Sequence, residues 1–114
     1  MSDCLFCKIS DGEISGDIVH QNDSVLAFND INPQAPHHVL IIPRKHIPTT
    51  NDISDDDRDV LGEMYLAAKQ IAAERGIADG GYRTVFNCNS DAGQKVYHIH
   101  LHLLGGRKMG WPPG

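Results

Sequence analysis

The order of elements in this 114-residue sequence predicts an α+β domain, with short strands on both sides of one main helix. Three stretches carry that prediction. From Tyr97 to Leu103 apolar residues alternate with histidines at period 2, the pattern of a strand with two unlike faces. His37-His38-Val39-Leu40-Ile41-Ile42-Pro43 is an apolar run entered by histidines and closed by proline, which reads as a central strand. Between Ser54 and Gly76, Val60, Leu61, Met64, Ala68, Ile71 and Ala72 recur at helical spacing and form one stripe.

Taken in order, Cys4-Leu5-Phe6-Cys7 lies in a short segment ending at Ser10-Asp11-Gly12. Its Cys-x-x-Cys spacing suits one edge of a zinc site, a redox pair, or neither. A redox motif ordinarily follows a strand of a parallel βαβ unit, and no strand pattern precedes this one. Residues 17–21 and 24–30 read as two strands joined by a turn at Asn22-Asp23. The stretch 31–36 carries two prolines and reads as irregular. Ser54-Asp55-Asp56-Asp57 is a helix start: Ser54 caps, Asp57 occupies the reciprocal capping-box position, and the acidic turn suits the positive end of the dipole. The acidic run itself reads as a solvated face. Gly76 ends the helix, since a left-handed cap costs glycine little. Residues 82–87 read as a strand, and the polar turn 89–94 returns the chain into the histidine strand as a hairpin. Cys88 reads as a small buried residue. The segment after Gly105-Gly106 has no periodicity yet holds the one tryptophan, Trp111.

Length is that of a single domain, 1–114. The formal charge is −5, and basic residues pair only at Arg44-Lys45 and Arg107-Lys108, so a nucleic-acid-coating surface is not expected. No apolar run approaches the ~20 residues of a membrane span, and no signal segment opens the chain. Three cysteines without such a segment suit a reducing, cytoplasmic compartment.

The chemistry concentrates at His98, His100 and His102. On a strand these rings share one face in a row with steps of about 6.5–7 Å. One such histidine is ordinarily a hydrogen-bonded core residue; three need three partners when partly buried. A metal face is one reading, although a tetrahedral ion accepts two rings in line more easily than three. Nucleophilic catalysis is another: neutral imidazole attacks phosphorus without a separate base, and its neighbours can donate protons. His38 enters the neighbouring strand, and Asn87 and the Gly93 turn lie beside the row. No Gly-rich phosphate loop occurs, so a phosphate would be held here, by turn N–H groups and an amide.

His98-Ile99-His100-Leu101-His102-Leu103-Leu104 resembles the signature of the histidine triad nucleotide-binding superfamily, His-φ-His-φ-His-φ-φ. Residues 27–38, 42–47 and 93–97 and the Trp111-Pro112-Pro113-Gly114 ending resemble its Hint branch. The resemblance implies a HIT-like fold, an antiparallel sheet of about five strands with one main helix and a short N-terminal helix. It implies a homodimer, with the tail from about residue 105 docking at the interface. The implied activity is that of a purine nucleoside phosphoramidase, cleaving the P–N bond between AMP or GMP and an amine, with no catalytic cofactor. His100 matches the nucleophile, while His102 and His38 match residues that bind phosphate and order the row. Asn87, Gly93 and Lys95 match phosphate and leaving-group contacts. Asp30 matches the ribose carboxylate, Phe28 and Ile31 the purine sandwich, and Trp111 a tail residue that reaches the partner's site.

Lys95 departs from the serine or threonine usual at its position in these relatives, bringing a positive charge and no acceptor. Cys4 and Cys7 resemble the pair found in members that bind structural zinc, with His46 and His98 as the other two ligands. Rival readings are a dinucleoside polyphosphate hydrolase of the same superfamily and a non-catalytic nucleotide- or zinc-binding partner protein. A redox protein using Cys4 and Cys7 ranks below both.

Overall fold

In the computed structural model, which describes residues 3–114, five strands form one antiparallel sheet in the order β1-β2-β3-β5-β4. The strands are β1 (Ile18–Gln21), β2 (Val25–Asn29), β3 (His37–Pro43), β4 (Tyr82–Val85) and β5 (Leu101–Gly105). Helix α1 (Leu5–Ser10) precedes them and α2 (Arg58–Glu74) lies between β3 and β4. Among the described residues, no helix is long and apolar enough to cross a membrane.

Alternation along the strands assigns the two faces. Val25, Ala27, Val39, Ile41, Leu101 and Leu103 point one way and meet Met64, Ala68 and Ile71 of α2, the stripe read from the sequence. Leu26, Phe28, Leu40 and Ile42 point the other way and meet Phe6 of α1. The register sets Phe28 opposite Leu40, Leu40 opposite His102, and His102 opposite Val85. His38 and His102 therefore share the α1 face, on adjacent strands.

Two expectations change at the ends of elements. The histidine strand begins only at Leu101, and β4 ends at Val85, so the hairpin carries a long connection. The reason is a tertiary bond: the Ile99 N–H donates to the Ile47 carbonyl at 2.8 Å, which draws residues 94–100 into a bend. Tyr97 is consequently 44% exposed, instead of lining the buried face with Ile99. The acidic turn before α2 is a 3₁₀ turn, Asp55–Asp57, and Asp57 is not solvated. It is buried, accepts the Ser54 N–H at 2.9 Å as a capping residue should, and pairs with Lys45 Nζ at 2.6 Å.

The end of β5 is pinned where the chain leaves the sheet. Gly106 has φ +92°, and a Cβ there would lie 3.0 Å from Pro36 Cβ and 3.1 Å from the His37 ring. Gly106→Ala is expected to lower unfolding free energy by about 1–3 kcal/mol, read as a reduced urea midpoint at unchanged m-value.

Candidate active site

A cleft of about 480 Å³ opens on the α1 face of the sheet. His38 and His102 form its floor, His100 enters from the bend before β5, and Phe28 of β2 is its apolar wall. Asp30 and Ile31 follow β2 and form one rim, with Ile31 fully exposed. Asn87, Gly93 and Lys95 come from the β4–β5 connection and form the opposite rim. Gly93, at φ +85°, closes the 3₁₀ turn Ser90–Ala92. Nine of the expected catalytic and substrate residues therefore meet in one place. Trp111 does not line this cleft; it stands 83% exposed on the tail, where the Gly110 carbonyl accepts a hydrogen bond from Arg83.

The hydrogen bonds fix which nitrogen of each ring carries the proton. The Gln34 backbone N–H donates to His38 Nδ1 at 3.0 Å, so neutral His38 is protonated on Nε2. That N–H lies 2.9 Å from His102 Nδ1 and 3.4 Å from Asp30 Oδ2. His102 Nδ1 therefore accepts, and its proton resides on Nε2. His100 Nδ1 donates to the His98 carbonyl at 2.8 Å, leaving the lone pair on Nε2. The chain thus offers one free imidazole nitrogen and one imidazole N–H on adjacent rings, with centroids 5.0 Å apart. Asp30 Oδ1 accepts the Asn32 N–H at 2.8 Å in an Asx turn, which holds the carboxylate at the rim.

Burial favours the neutral rings. It lowers the pKa values of His38 and His100, and together with His100 and His38 it lowers that of His102 to about 4. Stability should follow. Above pH 6.5 His102 is neutral both folded and unfolded. As pH falls from 6.5 towards 4 the unfolded chain takes up a proton that the native ring refuses, so stability is lost across that window. His38 acts in the same direction. Urea midpoints at pH 7, 5.5 and 4.5 are expected to fall in that order, with a shallower fall in His102→Gln.

A second cluster lies behind α1. The donor atoms of Cys4, Cys7, His46 and His98 all fall within 4.8 Å of one another, a set able to hold a metal ion. Cys7 Sγ is 3.3 Å from His46 Nδ1 and 3.5 Å from His98 Nδ1, Cys4 Sγ is 3.4 Å from His98 Nδ1, and the two Nδ1 atoms are 3.3 Å apart. The fully buried His98 gives its Nε2–H to the Pro43 carbonyl at 2.7 Å, which leaves Nδ1 as a lone-pair donor. Burial, with Cys4 alongside, pushes the Cys7 thiol up to about 11. Asp30, His38 and His102 also group within 4.8 Å, but their 2.9 Å ring contact is a hydrogen bond, shorter than the ~3.3 Å between two nitrogens on one zinc.

Sequence reasoning missed Phe6 and Asp17. The rings of Phe6 and His100 pack at 89° with centroids 5.0 Å apart, so the segment carrying Cys4 and Cys7 also abuts the imidazole row. Asp17 reaches the cleft because Ile18 pairs with Phe28, and it accepts a hydrogen bond from Asn29 Nδ2. Both positions depend on long-range pairing and leave no local signal. Cys88 differs from expectation: it is half-buried, and hydrogen bonding by Thr50, with further help from Asn51 and Thr49, lowers its thiol pKa.

An antiparallel sheet that seats three imidazoles and a carboxylate in one open cleft is the architecture of a histidine triad protein. Comparison with known proteins agrees. Residues 3–111 match the family described as "Scavenger mRNA decapping enzyme C-term binding". The purine nucleoside phosphoramidase of Escherichia coli (strain K12) is 55% identical over 106 residues, covering 93% of this chain and 89% of its own. The crystal structure of a HIT family hydrolase from Legionella pneumophila Philadelphia 1 superposes with a TM-score of 0.97. It is 58% identical and covers 98% of this chain and all of its own. A histidine triad protein from Clostridium difficile gives a TM-score of 0.93 at 44% identity, covering 96% of each chain. The chain belongs to the histidine triad (HIT) family.

Proposed function

We propose that this protein is a hydrolase of the P–N bond in purine nucleoside phosphoramidates, conjugates of AMP or GMP with an amine. The observation that carries the reading is the proton placement in the cleft: a lone pair on His100 Nε2 beside an N–H on His102. Relatives named for this activity support it.

His100 Nε2 attacks phosphorus as the P–N bond breaks, and the nitrogen takes up a proton from solvent water so that it leaves as the free amine. Water then cleaves the nucleotidyl-histidine, releasing the nucleoside monophosphate and restoring His100. His102 Nε2–H, held in its tautomer by His38, donates to a phosphoryl oxygen and stabilises charge that grows in the transition state. Asn87 and the peptide groups around Gly93 hold the remaining oxygens. Asp30 Oδ2 accepts from the ribose hydroxyls, and Phe28 and Ile31 enclose the purine. No cofactor takes part in these steps.

Cys4, Cys7, His46 and His98 hold a structural zinc. A tetrahedral zinc with sulfur at ~2.3 Å and nitrogen at ~2.0–2.1 Å has S–N edges of about 3.6 Å and N–N edges of about 3.3 Å. The observed 3.3–3.5 Å and 3.3 Å support the fit. Held there, an ion would tie α1 to the sheet, which leaves His98 structural and His100 and His102 for chemistry.

The chain works in the cytoplasm as one histidine triad unit, 1–114, in a homodimer. The tail from about residue 105 docks at the interface, and Trp111 faces the partner's cleft. The exposed Trp111 ring supports this, since a large apolar side chain free in water is a frequent interface anchor.

The deciding experiment is single-turnover release of a fluorescent amine from an adenosine phosphoramidate, by wild type and His100→Ala side by side. Release by wild type alone establishes reaction and nucleophile. Cleavage of a dinucleoside polyphosphate in preference to the phosphoramidate would move the protein to that branch. AMP binding without turnover of either would make it a binding module.

A further inference from the structure

A second cleft, of about 430 Å³, adjoins the first between α1 and the bend at residues 95–97. The two share Leu5, Lys95 and Val96, so these residues form a ridge with one cavity on each side. We propose that the second cleft receives the leaving amine, and that Lys95 selects amines carrying a carboxylate, with an apolar body alongside. The proposal rests on the phosphoramidase reading and specifies its substrate class.

Charge carries the argument. Lys95 is the one lysine or arginine lining the first cleft, which also presents the carboxylates of Asp17 and Asp30. Among the described residues Lys95 is exposed and forms no ion pair or side-chain hydrogen bond. Asp3, across the second cleft, makes no ion pair with it either. Its ammonium is therefore free to serve a ligand, and a free cation on a ridge between two cavities favours an anion that crosses it.

Geometry says which anion. A nucleoside monophosphate seated against Phe28 and Asp30, with phosphorus at His100, sends its P–N bond away from the purine wall towards the Gly93–Lys95 rim. In the phosphoramidate of an α-amino acid the carboxylate lies two bonds beyond the nitrogen, at the position of the ridge. The side chain then enters the second cleft along Leu5, Val96 and the half-exposed Tyr97, whose far wall is formed by Cys4 and His46 of the Cys/His cluster. A fixed cation pairs with that carboxylate and leaves a neutral amide at the same place without its partner.

The test compares kcat/KM for adenosine 5′-phosphoramidates of phenylalanine and phenylalaninamide, which differ in one charge. Wild type is expected to prefer the carboxylate by about five-fold, the size of one solvent-facing ion pair, and less at high salt. Lys95→Gln should bring the ratio to about one and Lys95→Glu should invert it. Being ratios, these cancel any loss common to both substrates. Tyr97→Ala should reduce the preference for phenylalanine over glycine conjugates, which tests the cleft apart from the charge. A wild-type ratio near one, or a ratio that Lys95→Glu leaves unchanged, overturns the proposal while amine release upholds the phosphoramidase reading. Release of no amine from any conjugate overturns both.

Discussion

His100→Ala is expected to lower single-turnover amine release by about 10³-fold or more, with AMP affinity changed far less. The separation of the two effects follows from where the groups sit. In the proposed reading purine and ribose contacts come from Phe28, Ile31 and Asp30, which lie on the β2 rim of the cleft, whereas His100 enters from the bend before β5. The proposed nucleophilic nitrogen has no substitute: His38 Nδ1 accepts the Gln34 N–H and His102 Nδ1 accepts the His38 Nε2–H, so neither ring has a free lone pair to offer phosphorus. Isothermal titration with AMP and rapid-quench release of amine measure the two quantities on one preparation. A variant that kept its rate would remove His100 from the chemistry.

Metal removal is the second large effect. Wild type is expected to carry one zinc per chain, and stripping it should lower stability by several kcal/mol, on the order of 10 °C in Tm for a domain of this size. Cys7→Ser should do the same without chelator. Catalysis should suffer as well, for a local reason. Phe6 lies between the two cysteines of the cluster in sequence and packs at right angles on His100 with ring centroids 5.0 Å apart, so a loosened α1 frees the imidazole it braces. Elemental analysis, thermal melts and amine release before and after chelation check the three parts. Full activity in zinc-free protein with an unshifted melt would separate the cluster from both fold and site.

What the sequence made legible was whatever a local period or a local cap encodes. The α2 stripe, the apolar β3 run and the end of α2 at Gly76, φ +72°, lie where spacing puts them. The cleft residues named through family resemblance also meet in space, Trp111 excepted. Long-range contacts were not legible. Nothing near Ile99 announces that its N–H goes to Ile47, and that bond is what bends the histidine row out of its strand. The capping box marks Asp57 locally, but nothing in Asp55-Asp56-Asp57 announces its ion pair with Lys45, twelve residues earlier. Phe6 and Asp17 enter the site through tertiary packing and strand register, which no window of neighbouring residues contains.

The proton positions on His38, His100 and His98 rest on three main-chain groups: the Gln34 N–H and the His98 carbonyl in the cleft, and the Pro43 carbonyl at the Cys/His cluster. Every residue type except proline supplies the first of these, and every residue type supplies the other two. The wiring that leaves one ring with a free lone pair and its neighbour with a free N–H is thus shielded from most genetic drift at the positions that provide it. The exposed side chain at 34 is free to vary in pursuit of substrate preference or solubility while the His38 tautomer stays fixed, whereas Pro43 is fully buried. Only a change that shifts the backbone itself, such as proline at 34, reaches the chemistry from there.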